Sequence, residues 1–415
     1  MARSKVWGAT AAVVVTLVGL LMSACSSSAG SSVADPSTPL KLGMIVPVGA
    51  SVDYAEAVAA AKGAARAVNA AGGVNGHPIE IDFCNGPLDP NKETACVRQL
   101  INDKVVATVG NATYTSEKTA DELFARAGIA QVGNWASGVS ERDPNSYLFF
   151  GGQTYANAGQ IYAAAKWGGK RVGVVRLDYP YTAPYPDFYR NACVQLGCQV
   201  VSTTVIPSNS ATDLAPYASQ LLSGNPDVIV PDLGPLIAPL LKTMNQLGYK
   251  GKMISQDSNI NTKSFLAQPA DVQNQYIVTT PFPPPSAGDQ FPGIKQFLAD
   301  MQAEKAAGNS DAPTGTAYSQ TPTMDAYVAV KVFAKIAGDA RASDAASFKK
   351  AIDAAKNVDL LGLTQPWTPS QVLFDKLPRA SLDSWYFYTI GNGQQRLLNT
   401  QPVQVNDIVK TAYAG

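Results

Sequence analysis

Two stretches of this chain open in the same way and are followed by the same rhythm, a doubling that restricts the possible folds more than any other feature. Leu40 to Val46 reads LKLGMIV and Arg171 to Arg176 reads RVGVVR, both short apolar strands. After the first comes the turn Pro47-Val48-Gly49-Ala50-Ser51. Ala55 to Ala71 then carries alanine and valine at helical spacing and stops at Gly72-Gly73. Ile79 to Phe83 reads as a strand, Asn91 to Asp103 as a helix, and Val105 to Val109 as a buried strand entering Gly110-Asn111-Ala112-Thr113-Tyr114-Thr115. A helix over Ser116 to Ala127 and a strand over Ala130 to Val132, ending at Gly133-Asn134-Trp135, complete the first run.

The second run restarts after Phe150-Gly151-Gly152. It places strands at Arg171 to Arg176, Gln199 to Val205, Val228 to Val230 and Lys252 to Ser255, with helices at Asp187 to Leu196, Leu214 to Ser223 and Pro235 to Leu247. Strands alternating with helices demand crossover connections and parallel sheets. The predicted fold class is therefore α/β, with two doubly wound lobes. Pro281-Phe282-Pro283-Pro284-Pro285 marks a break, followed by helices at Gly293 to Lys305, Thr323 to Ala337 and Ser343 to Ala355, and a late strand at Trp385 to Ile390.

Ahead of both runs, Arg3 and Lys5 precede an apolar segment from Ala11 to Met22 and then Ser23-Ala24-Cys25. A positive start, a short apolar core and small residues before a cysteine form an export signal with a lipoprotein cleavage site. The apolar segment is short of the ~20 residues that a bilayer span needs. The expectation is a signal peptide over 1–24, lipid on Cys25, and a flexible tether over 25–39 led by Ser26-Ser27-Ser28-Ala29-Gly30-Ser31-Ser32, an ordinary signal peptide or a retained membrane anchor being the alternative. The protein would then work outside the cytoplasm, lipid-anchored to a bacterial cell membrane. Without Arg3 and Lys5 the 32 basic residues become 30, against 32 acidic ones. No Lys/Arg stripe stands out, which argues against nucleic acid as a partner.

Cys25 apart, the cysteines fall into two short-range pairs, Cys84 with Cys96 and Cys193 with Cys198. In an oxidising compartment such pairs read as disulfides, other pairings being the alternative. Metal ligation is poorly supported, since the single histidine, His77, lies in a Gly76-His77-Pro78 turn and neither pair has CxxC spacing.

Gly43-Met44-Ile45-Val46-Pro47 with its small-residue turn, the stretch Asn69-Ala70-Ala71-Gly72-Gly73-Val74-Asn75-Gly76-His77-Pro78-Ile79, the Asp89-Pro90 turn and Val105 to Thr115 together carry a resemblance. They resemble the solute-binding lipoproteins of ABC importers, in the leucine/isoleucine/valine-binding family with the type I periplasmic-binding fold. That resemblance implies two Rossmann-like lobes joined by a multi-strand hinge: 40–151 with 281–358, and 152–280 with 359–415. It implies hinges near Phe150 to Gln153, Thr279 to Phe282 and Asp359 to Leu363. It further implies a monomer that closes on a small solute and presents itself to importer permease subunits.

The same resemblance nominates site residues. Thr113, Tyr114 and Thr115 with Ala112, and Asn134, Trp135, Ala136 and Ser137, fall where the family holds a ligand carboxylate with hydroxyls and backbone N–H groups. Helix N-termini favour anions, although plain capping by Thr115 or Ser137 explains the same residues. Tyr181 matches the family's stacking tyrosine, with Tyr179 or Tyr185 as register alternatives. Asp257 stands where amino-acid binders carry a carboxylate for the ligand's ammonium; a solvated turn aspartate is the alternative. Tyr114 and Trp135 are aromatic where the family mostly has small residues, and with Tyr54 they could stack on a ring or enclose a cation. Asp53 could oppose a cation or favour a helix N-terminus. The implied ligand is a small polar metabolite: an amino acid, an amide or a small aromatic acid.

Enzymatic activity is not expected. His77 is isolated, and neither a G-x-S-x-G elbow nor a P-loop lysine motif occurs. No cofactor is expected. A sensory module that hands its closed form to a membrane receptor is the competing function.

Overall fold

The computed structural model describes residues 38–50, 52–136, 138–179, 182–207, 213–259, 268–314 and 321–414. The export segment, Cys25, Ser137 and Tyr181 lie outside them. Two sheets organise the described chain. The first holds β1 (Leu40–Val46), β2 (Ile79–Asn85), β3 (Ala107–Val109), β4 (Ala130–Val132) and β5 (Ser146–Tyr147), all parallel in the order β2-β1-β3-β4-β5. The second holds β6 (Arg171–Leu177), β7 (Gln199–Ile206), β8 (Val228–Asp232), β9 (Lys252–Gln256), β10 (Tyr276–Thr280), β11 (Tyr386–Gly391) and β12 (Gln394–Leu397). Its order is β12-β11-β10-β9-β8-β6-β7; β11 runs antiparallel to both of its neighbours, β10 and β12.

The helices α1 (Ala55–Ala70), α2 (Pro90–Asn102) and α3 (Glu117–Ala127) connect the strands of the first sheet. In the second, α4 (Gly152–Ala163) continues as a π turn over Ala164–Gly168, and α5 (Tyr185–Leu196), α6 (Ala215–Leu222), α7 (Ile237–Gln246) and the short α8 (Ala270–Gln273) follow. Then come α9 (Pro292–Ala306), α10 (Thr321–Ala340), α11 (Ala345–Ala354) and α12 (Asn406–Ala414). α2 begins as its residues dictate: Asp89 Oδ1 accepts from the N–H groups of Asn91 (2.9 Å) and Lys92 (3.0 Å), and Pro90 stands in the first turn.

Strand pleating sorts side chains between layers. In β1, Met44 and Val46 join the core under α1, α9 and α10, whereas Ile45 faces Val97, Leu100 and Phe124 of α2 and α3. In β6, Val172 and Val174 pack with α4, α5 and α12, and Val175 with α6 and α7. Both sheets are thus covered on both faces, giving two doubly wound α/β lobes.

The chain passes between the lobes where neighbouring residues enter different cores. Phe149 packs in the first and Phe150 in the second. Val278 lies in the second lobe and Phe282 in the first. Leu360, Leu363, Trp367 and Leu382 pack in the first core, and Trp385 in the second, so residues beyond 358 serve both lobes. Cys84 on β2 is bonded to Cys96 on α2, with Cα atoms 5.5 Å apart, and Cys193 on α5 to Cys198 before β7, at 4.6 Å. Among the described residues no helix is long and apolar enough to cross a membrane.

Candidate functional site

In an open parallel sheet the strand order reverses at one place, and the loops leaving the strands there diverge to leave a crevice. In the first lobe that place lies between β1 and β3. The loop after β1 carries Tyr54, and the loop after β3 carries Thr113, Tyr114 and Thr115. The two loops are joined across the crevice by a 2.6 Å bond between the hydroxyls of Tyr54 and Tyr114, whose rings lie 6.3 Å apart. Tyr54 is buried, which pushes its phenol up to about 12; the bond to Tyr114 lowers it, and the Asp257 carboxylate of the second lobe adds to the rise.

Gly110 permits this arrangement. Its φ is +61°, and a Cβ there would stand 2.8 Å from the Cα of Ala326 on α10. Next to it, Asn111 accepts the N–H of Ile45 (2.9 Å) and donates to Thr108 Oγ1 (2.9 Å), locking the loop to β1 and β3. The N-terminus of α3 is already engaged. The buried Glu93 accepts from the Thr115 N–H (3.0 Å) and the Ser116 hydroxyl (2.8 Å), so the Thr115 N–H is committed to an internal acid. Thr115 itself is exposed and Thr113 is buried.

The loop after β4 reaches the junction of the lobes. Gly133, at φ +63°, passes against the Phe149 ring, which a Cβ would meet at 2.6 Å. Asn134 is buried and donates to Ser146 Oγ (3.2 Å), while its Oδ1 has no partner among the described residues. Trp135 packs against both cores, 5.5 Å from the Phe150 ring, and its N–H donates to the Asn111 carbonyl (2.7 Å). The Ala136 carbonyl accepts the N–H of Gln153 on α4 (3.0 Å).

In the second lobe the order reverses between β6 and β8. Arg176 and Asp232 are register partners at their carboxyl ends. Arg176 donates from Nη1 to Thr182 Oγ1 (3.0 Å) and the Leu177 carbonyl (3.2 Å). Burial raises the Asp232 carboxyl to about 6, with Arg176 opposing the rise. Of the register alternatives, Tyr179 is exposed, and Tyr185 is buried against Tyr189 with ring centroids 6.5 Å apart.

Asp257 follows β9 and is 1% exposed. Its Oδ1 accepts the hydroxyl of Thr321 at 2.6 Å. Thr321 begins α10, which packs in the first lobe, so this bond joins the lobes. Burial raises the Asp257 carboxyl to about 7 even though hydrogen bonds from Thr321, Thr280 and Ser258 lower it, and its Oδ2 has no partner among the described residues. One turn along α10 lies Asp325, also 1% exposed, with neither oxygen partnered among the described residues. Burial, and then the Asp257 charge, raise it well above the usual carboxylate range.

Of the residues nominated from sequence, Tyr54, Tyr114 and Asp257 thus come into one neighbourhood. Asn134, Trp135 and Ala136 sit at the crossing between lobes. Asp53 is exposed and accepts the Ala55 N–H (3.1 Å) at the start of α1, the helix-terminus alternative. Thr321, Asp325, Arg176 and Asp232 were not nominated. Asp325 did carry a signal, as an acid inside the otherwise apolar Met324-Asp325-Ala326-Tyr327-Val328. Among the described residues no three potential metal ligands cluster. The arrangement is suited to holding a polar solute between lobes.

The periplasmic binding protein family model matches residues 39–373. An amino acid binding protein of Pseudomonas aeruginosa is 27% identical over 200 residues, 47% of this chain and 53% of that protein, so the match spans about half the relative's length. Among solved structures, a possible leucine/isoleucine/valine-binding protein from Rhodopirellula baltica superposes with TM-score 0.73 at 12% identity, covering 88% of this chain and 97% of that one. The Streptococcus pneumoniae branched-chain amino acid transporter substrate-binding protein LivJ, in complex with isoleucine, gives 0.69 at 17% identity, covering 88% and 100%. A fatty acid ABC transporter substrate-binding protein from Thermomonospora curvata gives 0.70 at 17%, covering 89% and 94%.

Proposed function

This chain belongs to the periplasmic binding protein family, and on that premise we propose that it is an extracytoplasmic solute-binding protein, lipid-anchored through Cys25, that captures a small polar metabolite between its lobes and delivers it to an ABC importer. The observation that carries the reading is the junction at Asp257. A carboxylate of the second lobe is held by Thr321 of the first and, while buried, keeps one oxygen without a partner among the described residues. Burying such a group costs free energy unless a partner arrives, and a solute entering between the lobes supplies one. Closure of two lobes about their crossings converts capture into a shape that a transporter can read.

In this reading Tyr54, Thr113, Tyr114, Asn134, Trp135, Ala136 and Asp257 line the pocket, with the Thr115 hydroxyl at its rim; Ser137 and Tyr181 stay expectations from sequence. The names of the relatives span amino acids and fatty acids, so the solute class follows from this chain's own residues. The test is a thermal-shift screen of the mature protein over amino acids, amides, aromatic acids and polyols. A solute at 100 times its Kd stabilises the folded state by about 2.7 kcal/mol. A screen in which no solute moves the transition, while a protein partner binds, refutes transport binding. For the anchor, Cys25→Ala is expected to move the protein from the membrane fraction to the soluble fraction.

A further inference from the structure

α10 brings two polar side chains to the seam between the lobes. Thr321 and Asp325 are four residues apart, hence on one helical face. Thr321 is bonded to Asp257 at 2.6 Å, which fixes that face toward the second lobe's acid. The helix is held there from behind, since Ala326 abuts Gly110 so closely that a Cβ on the glycine would collide with it.

Asp325 is therefore a buried carboxylate facing another buried carboxylate. Neither of its oxygens, nor Oδ2 of Asp257, has a partner among the described residues. Burial and the Asp257 charge both disfavour its ionisation, with no positive side chain acting against them among the described residues. The Tyr54 phenol, also near Asp257, brings no positive charge. Buried without partners, the two acids hold their protons in the empty protein, and a cation entering between them draws those protons off and replaces them. Among the described residues no three His, Cys, Asp or Glu side chains cluster to form a metal cage, and the cation taken up in the proposal is an organic one.

We infer that Asp325 of the first lobe and Asp257 of the second close from opposite sides on a protonated nitrogen, so that the solute is a net-cationic amine rather than a neutral amide, an anionic acid or a zwitterion with an apolar side chain. A zwitterion brings no net charge, and leaves the second carboxylate uncompensated. The inference rests on the interlobe cleft being the solute site, and it adds Asp325 and the charge class to that reading. It also makes the ligand part of the closing force, because the lobes then share one ammonium group.

The experiment titrates the mature protein and its Asp325→Asn variant with putrescine, L-arginine, L-leucine, acetamide and benzoate by calorimetry. Buffers of different ionisation enthalpy at pH 6.5 report proton movement on binding. Putrescine or L-arginine is expected to bind more tightly than the other three and to release protons. Asp325→Asn is expected to weaken that binding about 10- to 100-fold, the worth of one charge-assisted hydrogen bond. Tighter binding of leucine, acetamide or benzoate overturns the charge class and leaves the interlobe reading standing. Unchanged amine affinity in Asp325→Asn, or binding without proton release in the parent, overturns the two-carboxylate clamp. If none of the five binds, and none shifts the melting transition, both this inference and the interlobe reading fall.

Discussion

Asp257→Asn tests whether the acid at the seam is a liability in the empty protein. Its carboxyl is raised from 3.8 to about 7 by burial, so the folded state holds its proton more tightly than the unfolded chain does. The contribution of this group is fully favourable below pH 4 and is lost as pH rises through 7. At about 1.4 kcal/mol per unit, the loss reaches about 4 kcal/mol by pH 8, of which somewhat less than half has already gone at pH 5. Asparagine keeps an acceptor for the Thr321 hydroxyl but carries no charge, so the variant escapes that loss. Other buried acids, Asp121, Glu141 and Asp383, also raised to about 7, are common to both proteins and cancel in the comparison. Urea denaturation of ligand-free parent and variant at pH 5 and pH 8 gives the two differences. The variant should gain about 2–3 kcal/mol on the parent between those two pH values. A gap that does not change with pH, or a variant that loses ground at pH 8, refutes the assignment of a buried, uncompensated charge.

Other substitutions probe the scaffold. Gly110→Ala combines a left-handed backbone with a collision against Ala326, and should cost about 3 kcal/mol in urea denaturation. Tyr54→Phe removes the hydroxyl bond joining the two first-lobe loops, so stability should fall by about 1 kcal/mol, with a larger relative effect on solute affinity than on the melting temperature. Replacing Cys84 and Cys96 together by serine opens a cross-link of sequence separation 12, and should cost about 3 kcal/mol, an amount that reduction of the parent should approach.

Much of the scaffold was legible because its strands are apolar and its helices amphipathic. β1 and β4 lie at the expected residues, and α1, α3 and α5 begin or end within a residue or two of their predicted limits. The elements that escaped have no such contrast. α4 is buried around most of its circumference, with Gln153, Asn157 and Gln160 inside alongside Tyr155 and Ile161, so no polar stripe marks it. β5 spans two residues, and β10 is a wholly buried YIVTT just ahead of the proline-rich break. The candidate site divides by position in the chain. Tyr54, Tyr114 and Asp257 stand on loops after strands, where position alone suggests a ligand, whereas Asp325 lies inside a helix and becomes meaningful through what it faces.

By itself the sequence determined the layered α/β plan, the two runs of alternating strands and helices and the strand-end loops, because periodicity, composition and spacing act locally; the cysteine partners it left open. Tertiary structure decided which acids meet. Asp257 and Asp325 lie far along the chain from the loops of Tyr54 and Tyr114, and Thr321 reaches Asp257 across 64 residues. Whether a buried carboxylate is paired, capped or left waiting depends on the low-dielectric surroundings that only packing creates, and on that the charge of the solute turns.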